Sequence, residues 1–241
     1  MSETTDTEVS AENAEAASGA PNQGETAAEG STEVKLNGLF AFKMGMSSVY
    51  NENGESIPVT VLKYEPWFVS QVKTEDKDGY SAVQLACRPR RASRTSQAQK
   101  GHLKGSGFEN GAAFVRELRQ ALPEGLRKGQ TLSLDSLQKG DVVKLSANSK
   151  GRGFSGSVKR WNFGGGPASH GSHFHRQPGS VGNRTWPGRV MPGKKFPGQF
   201  GDERVSVRNV KIVDVLPEER VVLVKGPVPG GRNTLVQLMK E

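Results

Sequence analysis

The side chains best suited to binding chemistry lie in one sixty-residue stretch, residues 142–201. It holds ten Lys or Arg residues and no Asp or Glu, and its Trp, Phe and His residues stand among these cations. From Gly151 onward it also holds 13 Gly and 5 Pro. Cations contact phosphate, planar rings stack on bases, and glycine lets the backbone approach a phosphate closely. The pattern therefore predicts a long loop that binds RNA.

A second basic segment, residues 88–104, contains six Lys or Arg residues and no acidic residue. We predict RNA contacts in this segment and in the basic loop, which we define as residues 148–203. The candidate residues are Arg88, Arg90, Arg91, Arg94, Lys150, Arg152, Phe154, Lys159, Arg160, Trp161, His170, His173, His175, Arg176, Arg184, Trp186, Arg189, Lys194 and Lys195.

Two glycine motifs suggest nucleotide binding, but neither has the partners that this chemistry requires. Residues 151–156 match G-x-G-x-x-G, yet a dinucleotide site also needs a following helix and an acid about 20 residues on. The first acid after this motif is Asp202. Residues 188–195 resemble a P-loop, but Lys195 stands where Ser or Thr must hold Mg²⁺, and Pro197 obstructs the next helix. A phosphate- or nucleotide-using enzyme is kept as the alternative function.

Metal binding and nucleophilic catalysis are also disfavoured. His170, His173 and His175 lie in a Gly- and Ser-rich segment without a nearby Cys or carboxylate, so RNA contact is favoured over zinc ligation. The lack of acids also leaves no local carboxylate to orient a histidine in a Ser/His/Asp triad. Cys87, the only cysteine, ends an apolar run and is expected to be a small buried hydrophobe. We expect no metal, no cofactor and no catalytic residue.

The elements that must position these side chains are mostly short β-strands. Alternating apolar residues predict strands, and Asn53-Gly54 predicts a hairpin turn between the first two. The predicted strands are 46–50, 56–64, 67–73, 80–87, 131–134, 141–147, 204–215, 221–224 and 234–239. A short helix is predicted at 96–104 and another near 112–118. Closely spaced strands with little helix favour an antiparallel β-barrel.

The charge is distributed unevenly along the chain. Residues 1–33 carry eight acids and no Lys or Arg, and this composition predicts a disordered acidic tail. The remaining 17 acids and 33 bases give residues 34–241 a net charge of +16, which implies a polyanionic partner. No apolar run approaches the ~18 residues of a membrane-spanning helix. A single cysteine fits a reducing cytoplasm.

The basic loop resembles the signature of a known family, the bacterial large-subunit ribosomal protein three (L3) family. The signature is G-[KR]-G-F-x-G followed by K-R-W, which is similar to residues 151–156 and 159–161 here. The resemblance runs in order over about residues 36–238. It continues through 38–39, 43–46, 170–172, Arg176, 178–182, 187–190, 193–195, 198–201 and 223–230.

The resemblance implies a translation-protein-type β-barrel at 34–241, with residues 148–203 as a loop that penetrates ribosomal RNA (rRNA). The family's loop reaches toward the peptidyl transferase centre without performing its chemistry, which would place Arg184 and Arg189 near the catalytic RNA. Members bind early in subunit assembly, close to the 3′ domain of the large rRNA. The implied partners are this RNA and neighbouring large-subunit proteins in the cytoplasmic ribosome, with no membrane and no small-molecule substrate.

This chain departs from the family pattern at two places, and family properties that depend on those places are not expected here. Some members have a methylated Gln where this chain has residues 183–186, Asn-Arg-Thr-Trp, so we predict no such modification. The acidic tail also lies outside the usual family length. A protein-binding module with incidental RNA contact is a further alternative. The nucleotides contacted, the protein neighbours and the role of the tail stay open.

Overall fold

The computed structural model describes residues 33–240, so the predicted acidic tail lies outside the described residues except for Glu33. Strands dominate this part of the chain, as the sequence predicted. The strands are β1 (Gly38–Tyr50), β2 (Ser56–Tyr64), β3 (Phe68–Lys73), β4 (Ala82–Pro89), β5 (Ala112–Arg119), β6 (Val142–Asn148), β7 (Phe154–Ser155), β8 (Gly198–Gln199), β9 (Arg204–Leu216), β10 (Val221–Lys225) and β11 (Leu235–Lys240). The helices are α1 (Glu75–Asp78), α2 (Gln97–Leu103) and α3 (Ser157–Trp161), with single 3₁₀ turns at Ala92–Arg94 and Leu134–Ser136.

Six strands close into a ring in the order β1-β11-β6-β9-β10-β2, and every neighbouring pair is antiparallel. The two 13-residue strands make this closure possible. β1 pairs with β11 near its start and with β2 over most of its remaining length. β9 pairs with β6 through its first half and with β10 through its second. Register shifts in three of the ladders supply the local bends that a closed sheet requires.

Alternation of side chains along the strands gives the ring its interior. Val222 and Val224 on β10, and Val236 and Leu238 on β11, are buried and separated by half-buried residues. Because successive side chains point to opposite faces of a strand, these valines and leucines share the inner face. The turn at Asn53-Gly54 connects β1 to β2, and Gly54 has φ +77°, which glycine adopts readily.

A second sheet of three antiparallel strands, β3-β4-β5, lies outside the ring. This differs from the sequence interpretation, in which these strands belonged to one barrel. One face of the second sheet shares the main core with the ring, through contacts such as Phe42 to Phe114, whose ring centroids are 5.2 Å apart. The other face is covered by α2 and the following loop, where Leu103 and Phe108 join Ala86 in a smaller apolar cluster.

Two local predictions are wrong. The helix expected near 112–118 is strand β5, which pairs with β4 along its whole length, so tertiary pairing overrides local helix propensity. The strand expected at 131–134 forms only isolated bridges, from Leu132 to Val34 and from Thr131 to Phe68, and then enters a 3₁₀ turn. The helix predicted at 96–104 is confirmed as α2, with the Ser96 hydroxyl accepting a bond from the Gln99 amide.

An arginine clamp joins the ring to the second sheet. The Arg88 guanidinium at the end of β4 donates to both carboxylate oxygens of Glu65, from Nε at 2.6 Å and from Nη2 at 2.5 Å. It also lies 4.0 Å from the centroid of Phe42 on β1. The hydrogen bond from Arg88 lowers the pKa of Glu65, whereas burial, followed by the charge of Glu65, raises the pKa of Cys87 to about 12. Arg88 therefore stabilises the contact between the ring and the second sheet.

We predict that Glu65→Gln destabilises the protein by about 1 to 2 kcal/mol near neutral pH, because it removes the charge from a part-exposed bidentate pair. The folded pKa of Glu65 is depressed, so its contribution is present above the usual carboxyl pKa of about 4.3 and is lost as the pH falls through the folded value. Urea unfolding of both proteins between about pH 6 and pH 3.5 measures this difference, which should shrink toward acid pH. Glu124→Gln, at an exposed carboxylate, is the control, and an equal effect of the two substitutions would contradict the clamp.

Candidate nucleic-acid interface

The basic loop connects two strands that are neighbours in the ring. Asn148 at the end of β6 pairs with Arg204 at the start of β9, so both ends of the loop are fixed side by side. The ladder continues outward as an irregular two-stranded stem. The Ser149 amide donates to the Glu203 carbonyl at 2.9 Å, and the Arg152 amide donates to the Phe200 carbonyl at 2.8 Å. β7 and β8 pair beyond these bonds.

Glycines stand at two close contacts of the stem. Gly201 is buried with φ +74°, and a Cβ at this position would clash with the Lys150 carbonyl of the opposite strand. A Cβ on Gly198 would lie 2.5 Å from Nη1 of Arg160. At Gly201 glycine is therefore required for close approach as well as for backbone conformation, whereas a Cβ on Gly198 would displace only the flexible end of the Arg160 side chain. The stem therefore sets the direction in which the rest of the basic loop leaves the ring.

The five-residue helix α3 ties the outgoing half of the loop to the returning half. Arg160 Nη1 and Trp161 Nε1 both donate to the Phe196 carbonyl, at 3.0 and 2.9 Å. The Trp161 ring also has two cations near it, with Arg160 4.9 Å and Lys195 5.7 Å from its centroid. Asn162 ends the helix in the left-handed conformation, which asparagine tolerates better than most residues.

No residue from 158 to 200 is buried. Trp186 is 83% exposed, and Phe154, just before this range, is 80% exposed. A short internal closure shapes the distal part, where the Gly166 amide donates to the His175 carbonyl at 2.6 Å and Phe174 lies against Gly166. Large aromatic side chains normally bury most of their surface in a core, so exposed rings on a loop indicate a binding surface.

The loop's charge is not compensated by carboxylates. The described part of the chain has three ion pairs, Lys73–Glu117, Arg88–Glu65 and Lys240–Asp141, and none uses a cation of the basic loop. Arg152 instead lies 5.0 Å from the Phe200 ring centroid. Near the stem, burial and then the charge of Lys150 lower the pKa of Lys43, whose amine donates to the Gly230 carbonyl at 3.0 Å. The arrangement leaves positive charge available to an anion.

The structure places nearly all the candidate residues at the surface. Arg88 and Arg160 are half-buried and bond within the protein, whereas the other candidates are exposed. The exposed residues are Arg90, Arg91, Arg94, Lys150, Arg152, Phe154, Lys159, Trp161, His170, His173, His175, Arg176, Arg184, Trp186, Arg189, Lys194 and Lys195. The first three lie on and beside the 3₁₀ turn before α2, and the others belong to the basic loop.

The motifs for other chemistries do not form sites in the described structure. A helix does follow residues 151–156, but α3 has only five residues and runs into glycines. Residues 188–195 contain no helix. Within residues 33–240, no group of three His, Cys, Asp or Glu side chains is arranged to hold a metal ion. Over the same residues, no helix is long and apolar enough to span a membrane.

A cationic groove on the body was missed by the sequence analysis. It has a volume of about 830 Å³ and lies between β5 of the second sheet and strands β6, β9 and β11 of the ring. Arg116, Arg119, Lys144 and Arg204 line it, while its one carboxylate, Glu117, is paired with Lys73. These cations come from three strands far apart in sequence, so no local pattern indicates that they share a groove.

This chain is similar to several known proteins that carry the same description. Residues 108–220 match the family model described as ribosomal protein L3. A large ribosomal subunit protein uL3 from Bdellovibrio bacteriovorus is 65% identical over 216 residues, which cover 90% of this chain and 98% of the relative. Proteins of the same name from Desulfotalea psychrophila and Thermotoga maritima are each 47% identical, over 85% and 80% of this chain and 98% and 92% of their own lengths.

We predict that Gly201→Ala destabilises the protein by about 2 kcal/mol or more, because alanine combines left-handed strain with a clash against the opposite strand. Urea unfolding measures the loss, and amide exchange at Arg152 and Phe200 locates it in the stem. Gly182→Ala is the matched control, since Gly182 has an ordinary φ and open space around its Cβ position. Similar unfolding curves for both variants would show that the stem does not pack as described.

Proposed function

Because this chain belongs to the ribosomal protein L3 family, we propose that it is an rRNA-binding component of the large ribosomal subunit that acts through its basic loop. It is a structural protein and not an enzyme. The observation that carries the proposal is the loop itself, with nine Lys or Arg residues, exposed aromatic rings and no ion pair to a carboxylate within the described residues.

The physical role of the RNA is to stabilise one loop conformation. Ordering each loop residue costs about 1 to 2 kcal/mol of conformational entropy, and residues 158–200 bury no side chain that offsets this cost. An RNA surface supplies phosphates for the cations and base faces for the rings. The stem and α3 set the direction in which the loop enters the RNA. The loop thus acts as a scaffold for RNA.

The body provides a second set of contacts. We propose that the six-stranded ring is the translation-protein-type barrel of the family, and that it anchors rRNA through two surfaces. One is the exposed turn with Arg90, Arg91 and Arg94, and the other is the cationic groove that ends at the base of the loop. Arg88 is left out of this surface, because its guanidinium is bound to Glu65.

The position within the subunit follows from the family resemblance. We propose that the loop, residues 148–203, reaches toward the peptidyl transferase centre and holds the surrounding RNA in place, with Arg184 and Arg189 near its end. The chain joins the subunit early in assembly, close to the 3′ domain of the large rRNA and beside other large-subunit proteins in the cytoplasm. Both arginines are exposed, as this placement requires.

The electrostatic part of the proposal is testable with the full chain and a fragment of the 3′ domain of large-subunit rRNA. If the ten bases of residues 142–201 each touch a phosphate, affinity should fall about four decades between 50 and 200 mM salt. Replacing Arg176, Arg184 and Arg189 together by Gln should reduce the slope of log affinity against log salt by about 2. The control replaces Lys77, Arg127 and Lys128 by Gln. Equal slopes in both triple variants would refute the role of the loop.

We also predict that Trp186→Ala weakens RNA binding by about 1 to 3 kcal/mol through the loss of base stacking. Trp186 is 83% exposed, so its removal leaves the protein core unchanged. Filter binding and chemical footprinting of the RNA measure the effect. Tyr50→Ala removes a 72% exposed aromatic ring from β1 and serves as the control. An RNA footprint that is identical with and without the Trp186 ring would disprove stacking at this residue.

A further inference from the structure

A small cleft lies within the basic loop, separate from the cationic groove of the body. It has a volume of about 370 Å³, at the lower end of the range for ligand pockets in proteins. Residues from the outgoing half of the loop and from its returning half form the walls. The side chains that matter are those of Phe163, Pro178, Ser180, Lys194, Lys195 and Phe196.

The walls of this cleft are held in place by contacts already described. The Phe196 carbonyl accepts hydrogen bonds from Arg160 and Trp161, so the backbone on one side is fixed to α3. Phe163 follows the end of α3 by two residues and is half-buried, as is Phe196. Among the aromatic contacts of the described residues there is none between these two rings. Both phenylalanines line the cleft, so a planar group that enters it contacts them.

Both charged groups of the cleft are cations, and the Ser180 hydroxyl donates to the Gly182 carbonyl at 3.3 Å. The Lys194 amine has no ion-pair partner in the described structure, and Lys195 lies over the Trp161 ring, 5.7 Å from its centroid. No carboxylate occurs between Asp141 and Asp202, so nothing in the surrounding sequence competes for these amines. Aromatic walls beside ammonium groups favour a flat ring that carries a negative charge close by.

We propose that this cleft captures one unpaired nucleotide of the bound RNA, with its base between Phe163 and Phe196 and its phosphate at Lys194 and Lys195. This inference rests on the proposed RNA-binding function and assigns one contact within it. A nucleotide of a strand is preferred over a free mononucleotide because the cleft lies on a loop whose other cations bind neighbouring phosphates at the same time. The cleft therefore binds a nucleotide in a single-stranded part of the RNA and not one within a regular RNA helix.

The experiment uses the full chain bound to the 3′-domain rRNA fragment, with base-specific chemical probing at single-nucleotide resolution. In the wild-type complex one unpaired base should be protected from modification. Phe163→Ala and Phe196→Ala should each expose that same base and weaken binding roughly 5- to 150-fold. Lys194→Gln should expose the adjoining phosphate to cleavage reagents and lower the salt slope by about 0.7, whereas Lys194→Arg retains both contacts.

Met191→Ala is the matched control, because it removes a 53% exposed apolar side chain of the same loop that does not line the cleft. Urea unfolding of each variant checks that the body is intact. If the base stays protected in both phenylalanine variants at saturating protein, the cleft proposal is overturned while RNA binding by the loop stands. If the wild-type chain fails to bind the RNA at all, the proposed function fails and the cleft proposal with it.

A second measurement distinguishes the strand from a free nucleotide as the source of the base. Nucleoside monophosphates are titrated against the purified chain, with tryptophan fluorescence as the signal, since Trp161 borders Lys195. We expect no saturable binding below millimolar concentration, because a single base and phosphate supply only a small part of the contact. Micromolar binding that Phe163→Ala abolishes would overturn the assignment to a strand and would identify a mononucleotide site.

Discussion

The structure depends on the pairing of β6 with β9 inside a closed sheet. These strands are held on both sides, β6 by β11 and β9 by β10, so neither can shift without breaking a second ladder. The basic loop leaves from one strand and returns to the other, so both of its ends are fixed in the closed sheet. A long segment that buries almost nothing thereby has a defined origin and direction. The ring supplies the rigidity that the loop lacks.

Charge is used in opposite ways by the two parts of the chain. In the body, Lys73, Arg88 and Lys240 are each paired with a carboxylate, and these pairs link different elements of the fold. In the loop there is no carboxylate before Asp202, so the cations repel one another until an external anion is present. Salt screens exposed charges more than buried ones. Ionic strength therefore weakens the RNA contacts of the exposed cations, on the loop and on the body, before it affects the hydrophobic core.

The features that could be predicted from the sequence are those that depend on neighbouring residues or on the composition of one segment. Strand alternation, the turn at Asn53-Gly54 and the acid-free stretch each lie in one contiguous segment, and all three correspond to what the structure contains. The sequence has no local signal for which strands pair with one another. Strands β3 to β5 alternate like the ring strands, yet they form a separate sheet through non-local pairing. The cationic groove and the clamp at Arg88 are combinations of distant residues. The need for glycine at position 201 becomes visible only in the structure, where the Lys150 carbonyl lies opposite it.

The adjacency of the loop's two ends has a consequence for how this architecture changes over time. Asn148 and Arg204 face each other across one ladder, so the intervening segment is an insertion between strands that a short turn is able to connect. Residues can be added, lost or exchanged beyond the stem with little effect on the hydrophobic interior, because no residue of the loop belongs to the main core cluster. Changes in the loop and changes in the core are therefore constrained separately, the first by the polyanionic partner and the second by the packing of the ring.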